Sequence, residues 1–404
     1  MNMIYLSNER FPATLACTIQ QMRMCEAFAK AGARVQLVRP VFYDMPSYSV
    51  PEICEFYDVA PCFEMKRLFS LLSLSKPAAD GVRHVKIPLV GGLSLLISTW
   101  AFALTLLKRG ILNRPLAVYS RNVISAFVFL KFKHGARRKD VKIVFEVHSL
   151  DQQQPKRFFH KILRESDALI CITKALRDAI IKKFDVPKEK ILVAEDGVSH
   201  NLVHQPVPSK EEARRTLGIK AQQLVLYTGQ LFPGKGADVF VEAARSFDKE
   251  TQFMLVGGQE QSVKQLQKRV AAQNISNVRL IGFVPPARVP LYQAAADLLV
   301  LPASANHAIS AYTSPLKLFE YMAARRPIVA SDLPVLREVL QDGLNALLFE
   351  ERSASDLAQK IRLLLNDSGL QEKLAQRAWQ RVQSFTWEER ARRILAFIQN
   401  GTMI

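Results

Sequence analysis

Residues 307–338 read HAISAYTSPLKLFEYMAARRPIVASDLPVLRE, and the fold turns on how this stretch is parsed. It breaks into a loop, a short helix, a strand and the start of a second helix. Ser314 stands where an N-cap belongs, and Pro315 at the first helical position, where a missing N–H costs nothing. The amides of Leu316 and Lys317 are then left without intrahelical partners. Free amides at a helix start, with an ammonium beside them, make an anion site. Glu320 follows Lys317 by three residues and shares its helix face. Amides for phosphates and a carboxylate for ribose hydroxyls are what a nucleotide sugar would need. RPIVAS (326–331) comes next as a buried strand.

The rest of the chain extends this helix–strand alternation in both directions. Ahead of it, LVLYTGQ (224–230), QFMLVGG (252–258), VRLIGFV (278–284) and DLLVLP (297–302) are short apolar runs. Helical segments separate them: ADVFVEAARSF (237–247), QSVKQLQKRVAAQ (261–273) and PLYQAAA (290–296). That order predicts a doubly wound parallel sheet. The N-terminal half repeats it. Met3–Leu6 is a strand, 7–18 a loop, 19–31 a helix and ARVQLVRP (33–40) the second strand. Residues 41–86 read as irregular, with an amphipathic candidate at Met65–Leu74. The stretch 89–107 is 19 residues without a charge. Glycines, serines and threonines dilute it, so it reads as a buried or interfacial helix rather than a membrane span. LAVYSRN (116–122) is a strand with Arg121 just past its end. KIVFEVHSL (142–150) delivers His148 to a strand C-terminus, where open α/β sheets hold ligands. ILVAEDGV (191–198) reads as a strand ending at Asp196-Gly197. QPVPSK (205–210) is the linker candidate.

A chain of 404 residues is too long for one ordinary core and suits two domains. The expected division is residues 1–203, joined by a terminal helix at 386–404, and residues 204–385. The net charge is +18, and residues 1–205 carry +12 of it, from 30 Lys and Arg against 18 Asp and Glu. A basic half favours an anionic partner: a membrane surface, a phosphorylated acceptor or nucleic acid. The partners expected are the first two, with no nucleic acid. Cys17, Cys25, Cys54, Cys62 and Cys171 form no CxxC pair and no metal spacing, consistent with reduced thiols in a cytoplasmic protein. The start MNMIYLSNER has the pattern of a first strand rather than of a signal peptide.

TSPLKLFEYMAARRPIVASDLP (313–334) resembles the donor motif of retaining glycosyltransferases of the GT-B fold, the large family 4. The likeness runs along nearly the whole chain. It implies an α/β protein of two doubly wound Rossmann-like domains with an interdomain cleft. The acceptor is expected on the N-terminal domain and a nucleotide-diphosphate sugar on the C-terminal one. GQLFPGKG (229–236) is similar to the family's diphosphate-binding segment, with Gly229, Gln230 and Lys235 as donor contacts. It also matches GxxxxGK of a P-loop, but position 236 is glycine where a magnesium-binding hydroxyl belongs. From the motif come Thr313, Ser314, Pro315, Leu316, Lys317 and Glu320, with Glu320 on the ribose. Phe283 and Val284 fall where the family seats the base. His148, in an EVH-type segment, is expected beside the donor sugar, and Thr18, Arg121 and His148 toward the acceptor. His148, Lys235 and Glu320 are the residues expected to serve catalysis.

Three departures stand out. Residues 8–18 contain no glycine, where relatives carry one. Gln230 replaces an expected basic residue, and Tyr312 replaces the first glutamate of the family's Glu-x7-Glu pair. These keep open a second reading, a catalytically degenerate scaffold that only binds a nucleotide sugar. The implied reaction retains anomeric configuration. It proceeds without metal or other cofactor, since two lysines and helix amides stabilise the leaving diphosphate. The expected setting is cell-surface polysaccharide synthesis on a glycan or lipid-linked acceptor, on the cytoplasmic side and peripheral to the membrane.

Overall fold

The computed structural model describes residues 1–40, 48–68, 90–108, 116–150, 155–232, 234–304 and 311–400. Two compact units result: residues 1–195 with 387–404, and residues 196–386. The first junction thus falls ahead of the Pro-rich stretch at 205–210, which lies inside the second unit.

The first unit runs β1 (Asn2–Leu6), α1 (Ala16–Lys30), β2 (Arg34–Pro40), α2 (Val50–Tyr57), β3 (Glu64–Leu68), α3 (Val90–Lys108) and β4 (Leu116–Ser120). It continues with α4 (Val123–Gly135), β5 (Val141–Val147), α5 (Lys156–Glu165), β6 (Ala168–Cys171), α6 (Lys174–Phe184) and β7 (Ile191–Val193). The seven strands form one parallel sheet in the order β3-β2-β1-β4-β5-β6-β7. The order reverses between β1 and β4, which is the switch point where such sheets bind ligands. Right-handed crossovers put α3, α4, α5 and α6 on one face of this sheet, each packed on the next. α1 and α2 cover the other face.

The second unit runs α7 (His200–His204), α8 (Lys210–Leu217), β8 (Gln223–Thr228), α9 (Ala237–Ala244), β9 (Thr251–Val256), α10 (Glu260–Ala272) and β10 (Val278–Gly282). Then come α11 (Val289–Ala295), β11 (Leu298–Leu301), α12 (Leu316–Ala323), β12 (Ile328–Ser331), α13 (Pro334–Arg337), β13 (Leu347–Phe349), α14 (Ala354–Leu365) and α15 (Ser368–Val382). Its six parallel strands are ordered β10-β9-β8-β11-β12-β13, with the switch point between β8 and β11. The last helix, α16 (Trp387–Asn400), leaves this unit and packs on α1 of the first.

Three expectations are corrected here. Residues 48–68 are regular: Ser49 and Glu52 form a reciprocal capping box that starts α2, and β3 follows as an edge strand. Met65–Leu68 therefore lies in a strand, and the remainder of the amphipathic candidate lies outside the described residues. β7 ends at Val193, short of Asp196. Among the described residues no helix is long and apolar enough to cross a membrane.

Candidate functional site

In the second unit, the C-terminal ends of β8, β9 and β10 lie side by side and are tied together by backbone. The Gly229 amide donates to Val256 at 2.8 Å, and the Gly257 amide to Gly282 at 2.7 Å. Only glycine suits these crossings. Gly229 has φ +129°, and a Cβ there would sit 2.7 Å from Lys317 Nζ; a Cβ on Gly236 would lie 1.5 Å from the Pro302 carbonyl oxygen.

Across the switch point, α12 delivers Lys317. Its ammonium lies 4.1 Å from the centroid of the Tyr227 ring, in β8. Tyr227 is itself fixed by donating its hydroxyl to the Gln230 carbonyl at 2.6 Å, and the Tyr321 hydroxyl receives the Thr228 amide at 2.8 Å. Burial, then the nearby Lys235 ammonium, pull Lys317 down to about 7, against a smaller upward effect of Glu320. Lys235 is exposed, and partial desolvation still lowers it. Two ammonium groups lie near one another by this helix start, with Glu320 as the nearby carboxylate. The structure thus brings Gly229, Lys235, Lys317 and Glu320 together.

Ser314 is not the cap. Its hydroxyl accepts from the Asp196 amide at 3.1 Å, and α12 starts from Pro315, whose carbonyl accepts from the Leu318 amide at 2.9 Å. Proline fits the extended backbone before a helix, so the cap moves one residue along. Pro315 is consequently one position short of the helical position expected for it. The amides of Leu316 and Lys317 still have no backbone partner among the described residues. Thr313 and Tyr312 are half-buried just ahead of it. The Gln230 amide oxygen is buried without a hydrogen-bond partner among the described residues. Phe283 is 57% exposed at the end of edge strand β10, with Val284 half-buried beside it.

In the first unit, the switch point holds a buried polar network that sequence reading reached only in part. Glu146, in β5, is fully buried. Its Oε1 accepts from Gln20 Nε2 at 2.5 Å and from His148 Nε2, and its Oε2 accepts from the Tyr119 hydroxyl. Arg390 from α16 lies 3.2 Å from Oε1 and is itself buried. Burial alone would raise the Glu146 carboxyl, but Arg390 and His148 hold it well below the usual range. Burial and the Arg121 charge pull His148 down to about 4, more than Glu146 raises it. At neutral pH the imidazole is therefore uncharged and donates its Nε2–H to a carboxylate. Nδ1 then presents a lone pair, on a side chain 20% exposed.

Arg121 joins the same network by donating to Gln20 Oε1. Thr18 does not present itself: it is fully buried, and its hydroxyl donates to the carbonyls of Leu15 and Ala13, closing the turn before α1. Gln20, Tyr119, Glu146 and Arg390 were missed. For Glu146 the signal was present, since a carboxylate directly after the apolar run Ile143–Phe145, two residues before His148, shares that residue's side. For Arg390 there was none, because α16 is distant in sequence and carries three arginines, of which packing selects one. Among the described residues no group of three His, Cys, Asp or Glu is placed to hold a metal ion.

Two Rossmann-like units, each with its ligand-side groups at a switch point, define the GT-B class of α/β proteins. Residues 209–381 match the family model described as Glycosyl transferases group 1, and residues 21–202 that described as Glycosyltransferase Family 4. The chain belongs to this glycosyltransferase family. An uncharacterized glycosyltransferase of Methanocaldococcus jannaschii is 25% identical over 57% of this chain and 59% of its own length. D-inositol 3-phosphate glycosyltransferase of Xylanimonas cellulosilytica is 26% identical over 66% of this chain and 68% of its own. The chain thus spans about three fifths to two thirds of the length of these curated relatives. In fold it is similar to HepE of Anabaena, solved with UDP: TM-score 0.72 at 18% identity, covering 99% of this chain and 100% of that one.

Proposed function

We propose that this protein transfers a sugar from a nucleotide-diphosphate donor to a glycan or lipid-linked acceptor, with retention of anomeric configuration. The observation that carries the reading is Lys317: an ammonium half-buried over Tyr227, beside Gly229, and pulled down to about 7 by burial and then by Lys235. A diphosphate bound there would hold Lys317 in its charged form, with the Lys235 ammonium beside it, and be stabilised as it leaves. The free amides of Leu316 and Lys317 add donors, and Gln230, Thr313 and Ser314 line the same edge. Glu320 holds ribose hydroxyls, and Phe283 with Val284 receives the base. Lysines and helix amides supply the positive charge, so no metal or cofactor takes part.

In the first unit, Glu146 holds His148 as a neutral acceptor and, through Gln20, sets Arg121. His148 Nδ1 takes a hydrogen bond from a sugar hydroxyl, and Arg121 faces the acceptor. The acceptor hydroxyl attacks on the side from which the diphosphate departs. UDP is the first donor base to try, since HepE was solved with UDP and with UDP-glucose. The role that fits is polysaccharide synthesis at the cell surface, carried out by a cytoplasmic protein in peripheral contact with the membrane.

Tyr312 in place of a glutamate and Gln230 in place of a basic residue favour one alternative, a scaffold that binds the donor without turnover. A melting screen against UDP-glucose, GDP-mannose and dTDP-glucose, followed by an assay for donor hydrolysis, separates them. Ligand at a hundred times its Kd stabilises by about 2.7 kcal/mol. Transfer with inversion, read by NMR of the product, would remove the retaining mechanism. No melting shift with any donor would remove both readings.

A further inference from the structure

The two faces of the first sheet differ sharply in charge. α3, α4, α5 and α6 carry one, two, four and four Lys and Arg, against only Glu165 and Asp178, a net of +9. On the opposite face, α1, α2 and α16 carry five basic and five acidic residues and are neutral. Four helices on one side of one sheet thus hold half of the chain's +18.

The same layer exposes apolar side chains in register. On α3, Leu95, Thr99, Ala103 and Leu106 are buried, and the ring pairs Trp100–Phe132 and Phe102–Phe129 tie the helix to α4. Its other side shows Leu93 at 58%, Ile97 at 58% and Leu104 at 48% exposure, spaced four and seven residues apart. No charge breaks this helix before Lys108. On the neighbouring pair, Phe127 of α4 and Phe158 of α5 stack at 3.9 Å and stay half-exposed. Lys131 lies over the first ring at 5.8 Å and Arg157 over the second at 5.1 Å.

We propose that the α3–α6 face of the first unit docks on an anionic lipid bilayer, with the Leu93–Ile97–Leu104 stripe entering the acyl boundary and the α4–α6 cations resting on headgroup phosphates. An apolar stripe flanked by basic residues and aromatic rings fits the interface between headgroups and hydrocarbon. The stripe finds no match on the polar backbone of a nucleic acid. A symmetric dimer through this face would set +9 against +9. The inference gives a surface to the peripheral membrane contact of the proposed function and rests on that part of it alone. It needs no substrate to test, so its failure leaves sugar transfer untouched.

The full-length protein is floated with vesicles of phosphatidylcholine alone or mixed with phosphatidylglycerol, at low and raised salt. It is expected to rise with the mixed vesicles, weakly with the neutral ones, and to be released by salt. Each basic residue near an anionic surface contributes about fivefold. K131E/R157E should therefore lose roughly 25-fold or more in vesicle affinity. L93S/I97S/L104S keeps every charge and should lose about tenfold or more, since three exposed apolar contacts go. All five side chains point outward, so unchanged melting is the control for both variants. Absence of binding to mixed vesicles at low salt overturns the proposal. So does binding unaffected by L93S/I97S/L104S, displacement by duplex DNA that this variant binds equally well, or a dimer in light scattering that L104S dissolves.

Discussion

Lys317 offers the sharpest test, because its proton is predicted to move when the donor binds. With its ammonium held at about 7, about half the free protein carries the charge at pH 7 and about a tenth at pH 8. A diphosphate selects the charged form. Binding should then take up about 0.9 proton at pH 8, about 0.5 at pH 7 and under about 0.1 at pH 6. Between pH 6 and 8 affinity should fall about tenfold, or about 1.4 kcal/mol. UDP-glucose suits the measurement, since both of its phosphates are diesters and stay ionised throughout. Calorimetric titration in buffers of different ionisation heat reads the protons directly. Lys317→Met should abolish the uptake and weaken binding at pH 6 by roughly 10- to 100-fold, the loss of a charge-assisted contact. The sign for stability is opposite. An ammonium depressed from 10.5 to about 7 destabilises the fold fully below pH 7, and the penalty fades as pH rises toward 10.5. The unscreened penalty is about 4 to 5 kcal/mol, and solvent at this half-buried site reduces it. Lys317→Met should therefore melt higher than the parent at pH 6 while binding worse. Tight binding at pH 8 without proton uptake, or uptake that survives in Lys317→Met, refutes the assignment.

Other outcomes follow from the same geometry. Arg390→Met leaves the buried Glu146 without its cation and should destabilise by about 3–5 kcal/mol in urea titration, with Glu146→Gln restoring much of that in the double variant. His148→Ala should lower turnover and also cost about 1–3 kcal/mol of stability, since it removes a donor from the buried Glu146 carboxylate. The parent's rate should show no protonation of this imidazole between pH 6 and 9, because His148 gains charge only as pH falls through about 4. A limb near pH 6.5 that vanishes in His148→Ala would contradict the neutral assignment. Gly229→Ala drives a Cβ against Lys317 Nζ at 2.7 Å and should cost about tenfold or more in donor affinity. Phe283→Ala, at a 57% exposed position, should leave melting unchanged and raise donor KM by about two- to tenfold through lost stacking.

Much of the second unit was legible because its evidence is local. The alternation of short apolar runs with amphipathic helices dictates a doubly wound sheet, and the 313–334 motif places a helix start next to Lys317. The first unit was less so. The capping box at Ser49 and Glu52 is readable but lies inside a proline-containing stretch without clear periodicity, and Ser314 has the identity of a cap while its hydroxyl finds a longer-range partner in the Asp196 amide. Thr18 looked like a ligand contact by position, and its hydroxyl is spent on two carbonyls of its own turn.

By itself, the amino-acid order determined most of the strands and helices, that the sheets are parallel, and that Gly229, Lys235 and Lys317 are candidates for one site. Periodicity and local backbone preference are properties of neighbouring residues, so no contact map is needed to read them. Only tertiary structure decided that Arg390, more than two hundred residues from Glu146, neutralises it, that Lys317 rests on Tyr227, and that a net +9, half of the chain's net charge, gathers on one side of one sheet. Those are consequences of strand order and crossover handedness, which bring distant residues to one place and which the linear chain does not display.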